Sequence, residues 1–299
     1  MESLLFTGAS GFLGLNTLPI LNHNYQVDTL GISNINTYQI DIAKQIPILK
    51  KKYDVVLHAA GKAHVVPKTE AEIKSFYDIN VQGTKNLCRA LEITGYPKAL
   101  VFVSTVAVYG CEKGLLVSED QLLNGITPYA DSKKQAEKFL CDWCTKNRVI
   151  LTILRPSLLA GINPPGNLGA MIKGIQADRY LSVAEGRAQK SVAMASDIAA
   201  LIPICENKGG IFNLCDSHNP TFHELELLVS KQLGKRNPIS IPYWLALFLA
   251  QVGNLFGKNA PINSLKLSKI TTTLTFSNKK IIDELGFIPS DVLSNFIIR

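Results

Sequence analysis

The chain has 299 residues, 46% of them apolar and 18% charged, with a net charge of +7 and a pI near 9.0. That length suits one large domain or two small ones, and the apolar fraction excludes a disordered chain. The cations are scattered and the one tight run, Lys50-Lys51-Lys52, has no interleaved aromatics; the basic balance therefore points away from nucleic acid and fits an anionic substrate steered into a cleft.

Ser3 to Thr7 reads as an apolar strand. It runs into Gly8-Ala9-Ser10-Gly11-Phe12-Leu13-Gly14 and a helix over Phe12 to Asn22. Gly8 permits the tight turn, Gly11 lets a pyrophosphate approach the helix N-terminus, and Gly14 lets the helix pack close to the strand. The spacing is G-x-x-G-x-x-G rather than the common G-x-G-x-x-G, and an isolated copy could be an ordinary turn. Its place directly after an apolar strand favours dinucleotide binding.

A second strand is expected over Gln26 to Leu30. Its end, where an acidic residue bonds the ribose 2′-OH of NAD, is Gly31 followed by Ile32 and Ser33, and Asp28 lies too early. No Arg follows to hold a 2′-phosphate. NAD and NADP both stay open, with a lean toward NADP because the carboxylate is missing.

Further strands are expected over Asp54 to His58, Ala99 to Ser104 and Val149 to Leu154, with helices over Thr69 to Thr94 and Tyr129 to Lys146. Apolar strands without alternation, spaced by helices, form a parallel sheet covered on both faces, a doubly wound α/β fold. After Arg155-Pro156 come a loop over 163–167, a helix over Leu168 to Gln176, a strand over Lys190 to Met194 and a helix over Ser196 to Glu206. The last two read as a return to the sheet. The expected division is a dinucleotide-binding domain from 1–156 and 190–214, with a smaller α/β cap from 157–189 and 215–299. The apolar run Ile241 to Phe256 is too short and interrupted to span a bilayer and is expected as a buried or interface helix, with membrane-surface contact as the minor alternative. Met1-Glu2-Ser3 has no basic signal-peptide region, so a cytoplasmic protein with reduced thiols is expected. Cys141 and Cys144 form a C-x-x-C inside a helix with no second pair, so packing and no metal are expected.

Tyr129 and Lys133 lie four residues apart on one helix face. A tyrosine needs help to lose a proton at neutral pH, and a nearby ammonium favours the phenolate. A lone Y-x-x-x-K is often a plain surface pair. Ser104-Thr105, at the end of an upstream strand, raises it to a candidate acid/base site.

Taken in order, Thr7 to Gly14, Asp41-Ile42, His58 to Gly61, Asn80 to Thr84, Ser104 to Gly110, Tyr129 to Lys133 and Arg155-Pro156-Ser157 resemble the extended short-chain dehydrogenase/reductase superfamily. Within it they resemble the nucleotide-sugar epimerase/dehydratase/reductase group, of the UDP-glucose 4-epimerase kind. The resemblance covers most of the first two thirds of the chain and implies a Rossmann-type sheet with a substrate cap.

It implies Thr105, Tyr129 and Lys133 as catalytic residues. Gly8, Ser10, Gly11, Phe12, Leu13, Gly14, Asp41, Ile42, Ala59, Ala60, Gly61, Lys62, Asn80, Ser104, Tyr129, Lys133 and Pro156 would contact NAD or NADP. Thr105, Asn167, Arg187 and Lys190 would hold the substrate. Asn80 is expected to stabilise the cofactor loop, and His58 to be structural. The group's 4,6-dehydratases carry an acidic pair after the catalytic Thr; Val106 and Ala107 stand there, which disfavours dehydration.

The implied function is oxidoreduction at C4 of a nucleoside-diphosphate sugar, with UDP the expected carrier, in cell-surface polysaccharide precursor synthesis. A 4-epimerase leads, with an NADPH-dependent 4-ketoreductase as alternative. A dinucleotide-binding regulator without turnover is a further alternative, against which Thr105, Tyr129 and Lys133 stand. A homodimer through the helices at 69–94 and 129–146 is a family expectation.

Overall fold

The apolar runs pair as parallel strands in a computed structural model that describes residues 1–63, 65–255 and 262–298. β1 (Glu2–Thr7) leads through the glycine turn into α1 (Phe12–Asn24) and returns as β2 (Tyr25–Gly31), followed by the short β3 (Tyr38–Gln39) and β4 (Val55–His58). The region expected as one helix over 69–94 is α2 (Glu70–Tyr77) and α3 (Gly83–Thr94) joined by a π-helical turn, Asp78–Gln82. β5 (Ala99–Val103) ends in a 3-10 turn at Val106–Tyr109, and β6 (Gly114–Val117) follows. α4 (Pro128–Asn147) starts where Thr127 accepts a hydrogen bond from the Ala130 amide, with Pro128 in its first turn, and ends at Arg148 in the left-handed region. The N-terminal end follows the usual capping chemistry, whereas the left-handed C-terminal position is held by an arginine instead of the usual glycine.

β7 (Ile150–Pro156) is followed by β8 (Leu158–Ala160), α5 (Gly166–Gln176), β9 (Leu181–Val183), β10 (Val192–Met194), α6 (Ser196–Cys205) and β11 (Gly210–Leu214). The main sheet is seven-stranded and parallel, in the order β11-β7-β5-β4-β1-β2-β3. One expectation is corrected here. The strand within Lys190 to Met194 does not return to this sheet; β10 pairs with β8 in a separate two-stranded sheet. The seventh strand is β11, delivered by α6 once that helix has buried Ile198, Leu201 and Ile202 against the sheet.

Alternation along the strands feeds two cores. Leu4 and Phe6 of β1 face one side with Leu21 of α1 and the α6 residues. Leu5 faces the other, with Leu87 and Leu91 of α3 and Leu140 and Trp143 of α4. Cys144 also lies there, buried, and its thiol is pushed up to about 12 by desolvation. All six cysteines are free thiols.

A third core joins α5, α7 (Phe222–Leu233, with a capping box of Thr221 and Glu224) and the C-terminal chain. Its small sheets pair β12 (Ile239–Ile241) with β9, and β13 (Leu274–Phe276) with β6. Between them run α8 (Tyr243–Leu255) and α9 (Ser264–Thr271). α10 (Lys279–Leu285) packs Ile281 and Leu285 back into the main sheet's core, and α11 (Val292–Asn295) closes the chain. Of the two expectations for α8, a buried helix does not hold: among the described residues it buries Ala246, Ala250 and Gly253, half-buries Leu245 and leaves its other large apolar residues exposed. Phe256, the last residue of the expected run, lies outside the described residues.

Candidate active site

The carboxyl ends of β1, β4 and β5 meet at one edge of the sheet, where ligands bind in open α/β folds. Gly8 has a φ of +83°, and a Cβ there would come within 2.7 Å of the Ala60 backbone. Only glycine lets the β1 turn press against the chain leaving β4. At Gly14 a Cβ would overlap the Ala9 carbonyl at 1.6 Å. Gly11 caps α1 with no side-chain hydrogen bond, so the first amides, including those of Phe12 and Leu13, keep their donors free. Such a terminus attracts an anion. Ser10 and Gly11 are exposed at its mouth. These residues fit a dinucleotide pyrophosphate.

The segment after β4 is held from three sides. The Ala59 amide donates to the Thr7 carbonyl (3.1 Å) and the Ala60 amide to Thr7 Oγ1 (3.2 Å). The Lys62 amide donates to Asn80 Oδ1 (2.7 Å), while Asn80 Nδ2 donates to the Lys62 carbonyl (3.2 Å) and to Ser132 Oγ (2.9 Å). Asn80 sits in the π-helical turn, a distortion common at functional sites. It ties the Ala59-Ala60-Gly61 segment to α4. The Lys62 ammonium turns away, to Ser75 Oγ (2.6 Å) and over the Phe76 ring. Asp41 accepts from the Ala43 amide (3.0 Å), and Ile42 packs against Gly83.

His58 is fully buried between Thr7 Oγ1 (2.7 Å from Nδ1) and Thr84 Oγ1 (2.8 Å from Nε2). Thr84 donates its own hydrogen to the Asn80 carbonyl (2.6 Å), so it accepts from Nε2–H and Thr7 donates to Nδ1. This network assigns the neutral tautomer. Burial, with a smaller contribution from the Lys133 charge, pulls the imidazole down to about 3.

Thr105 caps the 3-10 turn, its hydroxyl accepting from the Ala107 amide (3.1 Å). Desolvation pushes the Tyr129 phenol above its ordinary value, and the Thr105 hydroxyl pulls the other way. Lys133, one helical turn on, is 3% exposed and donates to the Val103 carbonyl (2.8 Å), with its ammonium 4.5 Å above the Phe102 ring. A Cβ at Gly61 would lie 3.3 Å from that ammonium. Burial lowers the lysine to about 8, and Glu137 opposes the shift.

The motifs did not reveal a buried polar chain behind the site. Ser104 Oγ bonds Glu137. Arg155 donates to Glu137 through Nε (3.1 Å) and Nη2 (2.6 Å), and through Nη1 to the Tyr109 hydroxyl (3.1 Å), which donates to Asn213 Oδ1 (2.6 Å). The i,i+4 spacing of Lys133 and Glu137 was the available signal. Pro156 ends β7, buried. Beside it, Ser157 Oγ is buried without a partner among the described residues.

Toward the substrate side the expected residues stand on separate elements. Asn167 is exposed in the first turn of α5. Arg187 follows the 3-10 turn Ala184–Gly186, pairs with exposed Glu185, and lines a cavity of about 510 Å³ together with His223 and Ser240. Lys190 is half-buried and pairs with no carboxylate among the described residues. Burial and neighbouring Lys269 pull it down to about 8. At the end of β2, Asn36 packs 3.0 Å from where a Gly31 Cβ would stand. Its Nδ2 donates to the Ser33 carbonyl (2.8 Å), and its buried Oδ1 has no partner among the described residues. Asp28 is committed to the Tyr53 hydroxyl (2.8 Å) and Lys51 (2.9 Å).

Comparison with known proteins agrees with this geometry. Residues 4–215 match the family model described as the NAD dependent epimerase/dehydratase family. An N-acetyl-alpha-D-glucosaminyl-diphospho-ditrans,octacis-undecaprenol 4-epimerase of Escherichia coli O157:H7 is 29% identical, covering 100% of this chain and 94% of its own. A UDP-glucose 4-epimerase of Vibrio cholerae is 26% identical over 98% of this chain and 92% of its own. The solved UDP-N-acetylglucosamine 4-epimerase of Bacillus cereus shares the fold, with a TM-score of 0.75 at 20% identity over 99% of this chain and 96% of that one. The chain belongs to the NAD-dependent epimerase/dehydratase family of extended short-chain dehydrogenases/reductases.

Proposed function

We propose that this protein is a 4-epimerase of a diphosphate-linked hexose, working with tightly held NAD in the making of cell-surface polysaccharide precursors. The observation that carries the reading is the gathering of buried Thr105, half-buried Tyr129 and the buried Lys133 ammonium one helical turn on, beside the glycine cradle. When bound, the dinucleotide supplies acceptance and return of hydride at C4. Thr105 holds the C4 oxygen, and Tyr129 takes its proton and later gives it back. The Lys133 charge favours the phenolate that must form between those steps. Val106 and Ala107 offer neither acid nor base for water elimination. A regulator without turnover has no use for this set.

Lys190 and Arg187 are assigned to the diphosphate; an unpaired, half-buried ammonium gains most from an anion. The relatives that span the chain act, by their names, on UDP-glucose and on an undecaprenol-diphosphate-linked N-acetylglucosamine, so the shared feature is the diphosphate. In this reading the seven-stranded sheet and its flanking helices hold the cofactor, the small sheets with α5, α7 and α8 form the cap, and the enzyme works in the cytoplasm. Dimerisation would use α2, α3 and α4.

Asn36 supports the choice of NAD. Turned outward from its buried position, its Oδ1 would accept from a ribose 2′-OH, whereas a 2′-phosphate brings no hydrogen to donate. The second reading, an NADPH-dependent 4-ketoreductase, rests on Gly31, which puts no carboxylate at the strand end to repel the phosphate. The test is to denature freshly purified protein and identify the released nucleotide, then titrate apo protein with NADH and NADPH. The epimerase reading expects stoichiometric NAD+ and weaker NADPH binding, with the preference reduced in Asn36→Ala. An empty site that prefers NADPH would replace it with the reductase.

A further inference from the structure

We propose that α8 docks this protein flat onto an anionic lipid bilayer. The helix is built inside out. Its inward face is Ala246, Ala250 and Gly253, the smallest residues it has. Its outward stripe is Trp244, Phe248, Val252 and Leu255, at spacings of four, four and three, with Tyr243 and Leu247 beside it. Residues at those intervals share one face. Trp244 is 69% exposed, Phe248 60% and Leu255 85%. Scattered apolar residues on a surface need no explanation, but a contiguous aromatic-rich stripe marks an interaction site.

Charge identifies the occupant. From Leu227 to Ile282 the sequence holds Lys231, Lys235, Arg236, Lys258, Lys266, Lys269, Lys279 and Lys280 and not one Asp or Glu; Lys235 and Lys279 are paired with Asp178 and Asp283 outside it. Lys266 and Lys269 are exposed on α9, which packs against α8 through Leu267 on Ala246 and Ala250. A second copy seated on α8 by a two-fold contact would bring this carboxylate-free stretch against itself, on chains of net charge +7. Anionic headgroups complement it. Thirteen residues make a helix about 20 Å long, short of the roughly 30 Å hydrocarbon core, so α8 lies in the interface rather than across it.

The placement has a consequence for the substrate. β12 leads directly into α8, and Pro238 and Ser240 line the cavity that holds Arg187. A docked α8 therefore sets that cavity beside the headgroups, where a diphosphate sugar anchored by a lipid chain would present itself. This last step rests on the epimerase reading; the docking itself does not.

The test uses the full-length protein with vesicles of phosphatidylcholine alone or mixed with phosphatidylglycerol, read by co-sedimentation and tryptophan emission. The chain has two tryptophans, and Trp143 is already buried, so a blue shift reports Trp244. We expect sedimentation with the anionic vesicles, weakened by salt, and a blue shift. Trp244→Phe should silence the shift and keep binding. The pair Trp244→Ser and Phe248→Ser should lower bound protein by about tenfold or more, with the copurified nucleotide unchanged as a measure of intact folding. Failure to bind anionic vesicles at low salt would overturn the proposal. So would binding that the double variant leaves intact, or a dimer that the double variant dissociates. Because nucleotide content and vesicle binding are read separately, failure of docking is distinguishable from failure of the epimerase reading.

Discussion

At the residue scale, three side chains carry charge logic that the rest of the chain is arranged to hold. Tyr129 is half-buried and its phenol is raised, so its resting form is the neutral phenol; in the proposed mechanism the Lys133 charge, one helical turn on, helps the proton leave. Tyr129→Phe should keep the copurified nucleotide and lose turnover by roughly two to four orders of magnitude, the usual share of general acid/base catalysis. Turnover near that of the parent would remove Tyr129 from the mechanism. Lys190 gives a separate pH signature. Its pull down to about 8 means the cation is present below that pH and lost above it, so substrate KM should rise as pH passes 8. Lys190→Arg stays charged and should flatten that rise; a rise unchanged in the Arg variant would move the diphosphate contact elsewhere. Tyr129 and Lys133 were singled out by their spacing, and Thr105 by the family resemblance. Glu137, Arg155 and Asn36 were not, because their roles depend on partners 18 or more residues away or on an oxygen left without one.

At the element scale, the β4 strand end and the π-helical turn act as one clamp. Asn80 grips the loop, Thr84 bonds the Asn80 carbonyl, and neutral His58 bridges Thr84 to Thr7 on β1. The unfolded His titrates near 6.5, whereas the native ring resists protonation until about 3. Between those values the unfolded chain binds the proton and the native one does not. This group's contribution is therefore full above pH 6.5 and falls as pH drops toward 3, by up to about 1.4 kcal/mol per pH unit. Urea unfolding from pH 7 to pH 4 should show the gap between wild type and His58→Gln narrowing as pH falls; parallel curves would contradict the assignment. The five long strands and the main helices were legible as apolar runs and 3.6-residue patterns. The π-helical turn was not, since a one-residue slip in hydrogen bonding leaves the pattern of 69–94 continuous. β3, β8, β9 and β12 are two or three residues each, too short for any period.

At the scale of the whole molecule, the sheet order places the glycine cradle, the Asn80 clamp and the Tyr129 helix around one edge. The doubly wound class was readable because unalternating strands separated by helices have few other solutions. The seventh strand was misplaced because Lys190 to Met194 and Gly210 to Leu214 are both short and apolar, and only packing of α6 chooses between them. The exposure of α8 was hidden for a related reason: an apolar helix reads as buried until its neighbours are known. The central claim, that hydride leaves C4 and returns to the same carbon, has a direct measurement. UDP-N-acetylglucosamine and UDP-glucose carrying deuterium at C4, and an N-acetylglucosamine so labelled on a polyprenyl diphosphate, are incubated with the purified protein without added nucleotide. The account predicts that one of them forms its C4 epimer with the deuterium retained at C4 and no solvent hydrogen entering there. Epimer formed with the label lost, or no epimer without added NADPH, would contradict it.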